Sequence, residues 1–272
     1  MTDATLPHDD HQLGTDLGDD LIRLASADNF RDVAGDGYVT ADGQPLQRGV
    51  FFRSNELQLT HEDAAAITDL GITAIYDLRG TTEVEAHPDV EVPGATWHHV
   101  EVLGIPHGVG AELVDPDAAE AAICDVYDRF VNDPASRASF GALLTGLATS
   151  TSPQLFHCTA GKDRTGWTAA LLLRLAGVPE DVVTADYLRT NDIGLATREK
   201  YLGLVAEHMG ADRVPVFERI MIADTSYLAA ADDAVAATYG SLAAYLRDGL
   251  GLSDDLIAAL KARLLGLSSP EG

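Results

Sequence analysis

The chain has 272 residues, of which 46% are hydrophobic and 22% are charged, a composition typical of a globular protein with a substantial core. Its 43 acidic and 18 basic residues give a formal net charge of −25. Such a surface repels nucleic acids and anionic membranes, so we expect no nucleic-acid partner and no stable membrane insertion.

The two cysteines and the first 20 residues bear on where the protein works. Cys124 and Cys158 are too few for a disulfide framework, so we expect free thiols in a reducing compartment. The first 20 residues carry six aspartates and no lysine or arginine, unlike a secretory signal. No apolar run approaches the roughly 18 residues of a membrane span. We therefore expect a cytoplasmic protein, with export that needs no signal peptide as the alternative.

The order of local signals predicts the architecture. Residues 1–19 are expected to form an acidic flexible tail, and residues 20–268 a single domain. The predicted elements are a hairpin turn at Asp42-Gly43 that pairs residues 38–40 with 50–52, a helix over 60–70, a buried strand over 72–76, a strand over 96–102, helices over 117–131 and 135–149, a strand over 154–157 and a helix over 164–175. From Pro179 to Leu265 the pattern is helical almost throughout. This order predicts an α/β fold with a central, mainly parallel sheet flanked by helices, and a helical C-terminal third that could form part of a lid.

One segment carries the chemical information: residues 157–166, which read His-Cys-Thr-Ala-Gly-Lys-Asp-Arg-Thr-Gly. It lies between a predicted strand and a predicted helix, where backbone N–H groups and the positive end of the helix bind a tetrahedral anion. The same groups, together with Arg164, would favour the thiolate of Cys158. The planar guanidinium of Arg164 can hold two phosphate oxygens, and Gly161 permits the tight backbone path. The segment therefore predicts a phosphate site with a cysteine nucleophile.

His-Cys-x5-Arg resembles the signature loop of the cysteine-dependent protein tyrosine phosphatase superfamily. The full segment is similar to the bacterial branch that includes tyrosine and lipid phosphatases, and residues 29–32, 52–54 and 77–79 look like that branch as well. The resemblance implies hydrolysis of phosphate monoesters through a phosphocysteine intermediate on Cys158, without a metal or other cofactor. Phosphotyrosine proteins are the first expected substrates, and phosphoserine or phosphothreonine proteins the second. The expected partner is a phosphorylated protein or a phosphoinositide.

The predicted site residues have three kinds of role. Cys158 attacks phosphorus, Arg164 holds the equatorial oxygens, and Asp77 protonates the leaving oxygen. The expected substrate-binding residues are Thr159, Ala160, Gly161, Lys162, Asp163 and Thr165. His157 and Arg53 are expected to support the loop.

The general acid has rival candidates. Asp77 ends a strand that we expect to be parallel to the strand before Cys158, and the C-terminal ends of parallel strands share an edge. The resemblance agrees, since similar bacterial phosphatases take their acid from the stretch that Asp77 begins. Asp163 is the rival inside the loop, although its two basic neighbours favour an ionised carboxylate that suits loop orientation better. Asp125 and Asp128 rank third.

Other activities fit parts of the pattern. Lys162 adds a charge that a multiply phosphorylated inositol could use, so phosphoinositide hydrolysis is the main alternative. Sulfur transfer and arsenate reduction also use loops with a cysteine and an arginine, but the single loop cysteine, Lys162 and the Thr-Gly ending argue against both. A catalytically inactive phosphate-binding module is a remote alternative.

The remaining cysteine and a group of histidines are expected to be structural. Cys124 lies in an alanine-rich helical stretch, which favours a place in the core. His98, His99 and His107 lack the spacing of metal ligands on one helix. We therefore expect no metal site.

Overall fold

The described residues, 24–105 and 109–267 of a computed structural model, contain one sheet of five strands. The strands are β1 (Arg31–Asp32), β2 (Phe51–Ser54), β3 (Ala74–Asp77), β4 (Thr96–His99) and β5 (Gln154–His157). Their order in the sheet is β1-β2-β5-β3-β4, and only the β1–β2 pair is antiparallel. The expected α/β fold with a mainly parallel sheet is confirmed. The tail expected over residues 1–19 lies outside the described residues, as does His107.

Helices occupy most of the rest of the described chain. They are α1 (His61–Asp69), α2 (Thr81–Ala86), α3 (Val109–Glu112), α4 (Pro116–Asn132), α5 (Pro134–Thr149), α6 (Asp163–Ala176), α7 (Glu180–Leu188), α8 (Thr190–Ile193), α9 (Leu195–Met209), α10 (Val214–Met221), α11 (Thr225–Tyr239), α12 (Leu242–Ala244) and α13 (Asp254–Leu264), with a 3₁₀ turn at Ala211–Arg213 and a π-helical turn at Tyr245–Gly249. No helix of the described residues is both long and apolar enough to cross a membrane.

Alternating side chains place one hydrophobic cluster on each face of the sheet. Ile75 and Leu155 pack on one face with Ile67 of α1. Tyr76 and Phe156, their neighbours along the strands, belong to the larger cluster, which includes residues of α4, α5, α6, α11 and α13. Because both faces are covered, β3 and β5 are continuous runs of buried residues. Of the buried strand expected over 72–76, residues 74–76 lie in β3, whereas Thr73 is exposed and precedes it.

The expected hairpin is wrong in its second strand. A turn does form after Thr40, but Val39 pairs with Pro45 rather than with residues 50–52. Phe51 and Phe52 instead lie in β2, between β1 and β5, and pack on opposite faces of the sheet. A segment with two apolar faces must be covered by packed elements on both faces of its sheet, which an isolated two-stranded hairpin does not provide.

The register of the parallel strands places the site. Ser54 of β2 and Asp77 of β3 both pair with His157, the last residue of β5. Three strands therefore end together, and the loop between β5 and α6 begins at that edge of the sheet. α6 then runs back across the sheet to Gly177, whose left-handed conformation (φ +92°) ends the helix as its position predicts.

Candidate active site

The loop that joins β5 to α6 is buried and tightly wound. Cys158 follows the last residue of β5 and is only 2% exposed. Gly161 has a φ of +66°, and a Cβ atom at this position would lie 2.6 Å from both the Ser54 carbonyl and the Asn29 amide nitrogen. Glycine is therefore required on steric as well as conformational grounds.

Three carbonyl groups of the loop are held by residues from the β1–β2 side. The Asn29 side chain donates to the Ala160 carbonyl (2.9 Å), and the Arg53 guanidinium donates to the Gly161 carbonyl (3.0 Å). The backbone N–H of Glu56 donates to the Thr159 carbonyl (3.0 Å). Since a trans peptide directs its N–H opposite to its C=O, these bonds turn the adjoining N–H groups toward the inside of the loop. That arrangement suits an anion at the N-terminus of α6.

Arg53 belongs to a buried ion triad. Its Nη1 lies 2.7 Å from Asp186 Oδ2, and Arg31 Nε lies 3.4 Å from Asp186 Oδ1. Burial raises the pKa of Asp186, but the two guanidinium groups outweigh it and hold the pKa below its ordinary value. Burial, aided by the charge of Arg53, lowers the pKa of Arg31 to about 10. The triad thus ties the loop to α7 through charges that are shielded from water.

A cavity of about 220 Å³ opens above the loop. Cys158, Arg164, Lys162 and Asp163 line it, and so does Glu83 of α2. The structure therefore brings the predicted nucleophile and the predicted arginine together, with one of the two rival aspartates beside them.

Glu83 contacts the Arg164 guanidinium through both carboxylate oxygens. Arg164 Nη1 lies 2.7 Å from Oε2, and Nη2 lies 2.9 Å from Oε1. The hydroxyl of Thr159 also donates to Glu83. Burial lowers the pKa of Arg164, but the nearby charges of Cys158 and Glu83 outweigh it and raise that pKa above its ordinary value. The arginine is therefore a permanent cation whose plane is fixed by a carboxylate.

Asp77 does not face this cavity. The expectation that β3 and β5 lie parallel in one sheet is confirmed, but the Asp77 side chain is fully buried and turned toward Arg79. Asp77 Oδ1 accepts from the backbone N–H and Nε of Arg79 (both 3.0 Å), and Oδ2 accepts from Nη2 (2.7 Å). This geometry argues against a direct contact between the Asp77 carboxyl and a phosphate, because Arg79 satisfies both of its oxygens.

Arg79 also joins Asp77 to the histidine of the loop. Its Nη2 lies 2.8 Å from Asp89 Oδ1, and His157 Nε2 lies 3.0 Å from Asp89 Oδ2. Burial raises the pKa of Asp89, but His157 and Arg79 outweigh it and lower that pKa. Asp77, Asp89 and His157 lie close enough together to hold a metal ion. The Arg79 guanidinium already balances the two carboxylates, so this group is a structural charge network that supports His157.

Asp163 is the aspartate that lines the cavity. It is the first residue of α6, and its Oδ1 accepts from Lys162 Nζ (2.7 Å) and from the Tyr127 hydroxyl (3.1 Å). The hydroxyls of Tyr127 and Tyr187 lie 2.7 Å apart. Burial raises the pKa of Tyr127 well above its ordinary value, so this tyrosine is a neutral donor. The hydrogen bonds from Lys162 and Tyr127 are both made to Oδ1 of Asp163, which fixes the orientation of its carboxylate.

The other predicted residues take less central places. Thr165 is fully buried, and its hydroxyl has no hydrogen-bond partner within residues 24–105 and 109–267. Asp125 pairs with Arg129 on the exposed side of α4, and Asp128 accepts from Asn132, so neither faces the loop.

Comparison with known proteins identifies the family. A model of the tyrosine phosphatase family matches residues 22–266. The chain belongs to this family. Triple specificity protein phosphatase PtpB of Mycobacterium tuberculosis is 32% identical to it over 280 residues, which cover 89% of this chain and 98% of that protein. A tyrosine-protein phosphatase of Nostoc commune is 29% identical over 264 residues, covering 88% of this chain and 87% of that protein.

One solved structure was also found to be similar. The core catalytic domain of the PP-IP phosphatase SIW14 from S. cerevisiae matches 69% of this chain and 91% of that chain, with 15% identity and a TM-score of 0.28. The family assignment, not this match, confirms the resemblance read from the signature loop. This protein is a phosphatase of the cysteine-dependent tyrosine phosphatase superfamily.

Sequence reasoning missed two acidic residues of the tyrosine phosphatase site. Glu83 is the third residue of α2, where an acid is an ordinary helix-capping residue, so nothing in the sequence distinguishes it. Asp186 did leave a signal. It lies next to Tyr187 and three residues after Val183, which places an acid on the buried face of α7. A charge at such a position needs a buried partner.

Proposed function

We propose that this tyrosine phosphatase hydrolyses phosphotyrosine in proteins through a phosphocysteine intermediate on Cys158. The observation that supports this most strongly is the shared cavity of Cys158, Arg164 and Asp163 at the N-terminus of α6. The relative in M. tuberculosis is named for triple specificity, which supports further classes of phosphate monoester as substrates. The proposed phosphatase domain comprises residues 20–268.

In the first step, the Cys158 thiolate attacks phosphorus in line with the leaving oxygen. The S–P bond forms as the P–O bond to the tyrosine breaks, and the leaving phenolate takes a proton. Arg164 and the N–H groups of the loop hold the three equatorial oxygens and stabilise their developing charge. Because Glu83 has already fixed the guanidinium plane, little reorganisation accompanies this step.

We assign the acid role to Asp163. The sequence favoured Asp77, but Asp163 lines the cavity whereas Arg79 satisfies both oxygens of Asp77. With Oδ1 held by Lys162 and Tyr127, Oδ2 would deliver the proton to the leaving phenolate.

In the second step, water hydrolyses the phosphocysteine. The Asp163 carboxylate accepts a proton from the attacking water, whose oxygen forms the new P–O bond as the S–P bond breaks. Phosphate leaves, the Cys158 thiolate is restored, and Asp163 carries the proton needed for the next cycle. The charge stabilisation that a metal would provide comes in this scheme from Arg164 and the loop N–H groups.

Phosphoinositide hydrolysis is a weaker candidate. It rested on Lys162 as an extra cation for a multiply phosphorylated ligand, but Lys162 Nζ is paired with Asp163 at 2.7 Å. Much of its charge is therefore compensated within the loop.

Hydrolysis of p-nitrophenyl phosphate in the presence of EDTA tests the cysteine mechanism. We expect activity in the wild type, loss of at least about 1,000-fold in Cys158→Ser, and no change in the control Cys124→Ser. Vanadate should protect Cys158, but not Cys124, from alkylation. Activity that survives Cys158→Ser would contradict the proposed mechanism.

A further inference from the structure

A second and larger cavity adjoins the catalytic one. Its volume is about 560 Å³, against about 220 Å³ for the cavity above Cys158. Thr159, Ala160, Lys162 and Met221 line both. A group attached close to a phosphate held by the loop can therefore extend directly into the larger cavity.

Apolar side chains of α9 and α10 form one wall of this cavity. Tyr201, Leu204, Val205 and Met209 recur at helical spacing along α9, and Phe217 of α10 lies beside them. Tyr201, Leu204 and Met209 are 47%, 42% and 41% exposed, which is unusual for large apolar residues that share one face of a helix. Exposed apolar side chains that line a cavity beside a catalytic site offer a surface for an apolar ligand group.

The charged groups at the rim are largely engaged by their neighbours. Glu56 pairs with Arg79, Asp28 accepts from Thr197, and Lys162 pairs with Asp163. Arg198 donates to the carbonyl of Asn191. Of these two cations, Lys162 is paired with a carboxylate and Arg198 only with an uncharged carbonyl, so an additional phosphate group would find one unbalanced charge here, whereas an apolar group would find a matching wall.

We propose that this cavity binds an apolar side chain next to the phosphotyrosine of a protein substrate. This inference rests on the proposed function and names its preferred substrates. An inositol ring would place hydroxyls against an apolar wall at a cost in desolvation. The net charge of −25 also opposes approach to an anionic bilayer, while a neutral, apolar peptide segment meets neither obstacle.

Three phosphotyrosine heptapeptides test the proposal, with leucine, serine or aspartate on both sides of the phosphotyrosine. We expect kcat/KM for the leucine peptide to exceed that for the serine peptide about tenfold, the effect of burying part of a leucine side chain. The aspartate peptide should rank last. Free phosphotyrosine and p-nitrophenyl phosphate, which are too short to reach far into the cavity, give the activity of the catalytic site alone.

Two variants of α9 make the test specific. Leu204→Ser removes apolar surface from the cavity wall and should reduce the leucine preference to about threefold or less. Leu195→Ser is the matched control: it lies on the same helix with similar exposure (38%) but does not line the cavity, so the preference should persist. Activity on free phosphotyrosine should be unchanged in Leu195→Ser, and the effect of Leu204→Ser is read from the ratio of kcat/KM for the leucine and serine peptides.

The possible failures are distinguishable. Equal kcat/KM for the leucine and serine peptides, with p-nitrophenyl phosphate still hydrolysed, would overturn the apolar subsite and leave the proposed function intact. If the control Leu195→Ser lost the leucine preference to the same extent as Leu204→Ser, the apolar subsite would also be overturned. If Leu204→Ser impaired hydrolysis of phosphatidylinositol 3-phosphate in phosphatidylcholine vesicles but not of the leucine peptide, the cavity would serve a lipid instead. Absence of activity on every substrate would contradict the proposed function itself.

Discussion

The guanidinium of Arg164 and the carboxylate of Glu83 form a two-pronged ion pair at the wall of the catalytic cavity, with N···O distances of 2.7 and 2.9 Å. Burial raises the pKa of Glu83, but the hydrogen bonds and the charge of Arg164 outweigh it and bring the pKa to about 2. The pair therefore stays ionised across the working range of pH. Since the two bonds fix the guanidinium plane, Glu83 sets the direction in which Arg164 meets phosphate.

Replacement of Glu83 should impair catalysis although the residue does not react. Glu83→Gln removes the negative charge and replaces one acceptor with a donor, so the two-pronged pair with Arg164 cannot form. We expect kcat/KM for p-nitrophenyl phosphate to fall about 10- to 100-fold through loss of orientation. Glu85→Gln, on the exposed side of the same helix, is the control and should behave as the wild type. An unaltered kcat/KM in Glu83→Gln would show that Arg164 is oriented without this carboxylate.

The same ion pair predicts how stability depends on pH. The folded-state pKa of Glu83, about 2, lies below its ordinary value of 4.5, so the pair contributes fully above the ordinary value. That contribution is lost as the pH falls from there toward 2. The difference in Tm between the wild type and Glu83→Gln should therefore shrink when thermal unfolding is measured at pH 3 instead of pH 7. A difference that stays constant or grows on acidification would contradict the assignment.

Replacement of Asp163 should change the kinetics of the reaction, whereas replacement of Asp77 should change the stability of the fold. Asp163→Asn should reduce kcat far more for phenyl phosphate than for p-nitrophenyl phosphate, whose leaving group hardly needs a proton. Asp77→Asn should instead lower the free energy of unfolding by about 1–3 kcal/mol, because it weakens buried hydrogen bonds to Arg79 while Asp89 and Glu56 still balance that charge, and leave the ratio of the two kcat values unchanged. Steady-state kinetics with urea unfolding distinguishes the patterns. Leaving-group dependence that appears only in Asp77→Asn would return the acid role to that residue.

Tyr127 should act on the reaction through Asp163. Tyr127→Phe removes the hydroxyl that holds Asp163 Oδ1 and preserves the packing of the ring. We expect kcat for phenyl phosphate to fall about 3- to 10-fold relative to that for p-nitrophenyl phosphate, because proton delivery loses orientation. Tyr187→Phe is the matched control, since its hydroxyl contacts Tyr127 but not Asp163. An equal fall in kcat for both substrates would show that Tyr127 contributes to stability and not to proton delivery.

Features formed by residues close together in the sequence could be predicted, whereas features formed by distant residues could not. The signature loop lies within ten consecutive residues, and its strand and helix are encoded by their own apolar patterns. The parallel orientation of β3 and β5 in one sheet could also be expected from the sequence, although their direct pairing could not. Glu83 could not be found in this way, because its partner Arg164 lies 81 residues away and nothing along the chain joins them.

Side-chain direction was the weakest part of the sequence reasoning. Strand order placed Asp77 at the correct edge of the sheet, yet its carboxylate turns toward an arginine only two residues away. The two-residue spacing of Asp77 and Arg79 allows an ion pair between them, which the resemblance of residues 77–79 to the bacterial branch does not reveal. The hairpin prediction was wrong for a related reason. Local turn signals do not show that Phe51 and Phe52 lie beside β5 and pack on opposite faces of the sheet.

The triad of Arg31, Arg53 and Asp186 limits which substitutions these three positions can accept. All three side chains are at most 2% exposed, so loss of Asp186 leaves two uncompensated guanidinium groups in the interior, at about 3–5 kcal/mol, whereas loss of one arginine leaves the other paired with Asp186. A domain whose total stability is only about 5–15 kcal/mol tolerates few such losses. Among descendants of this chain, the three positions should therefore be retained together or replaced together. An alignment of close relatives would show them as one inherited unit, although more than 130 residues separate Arg53 from Asp186.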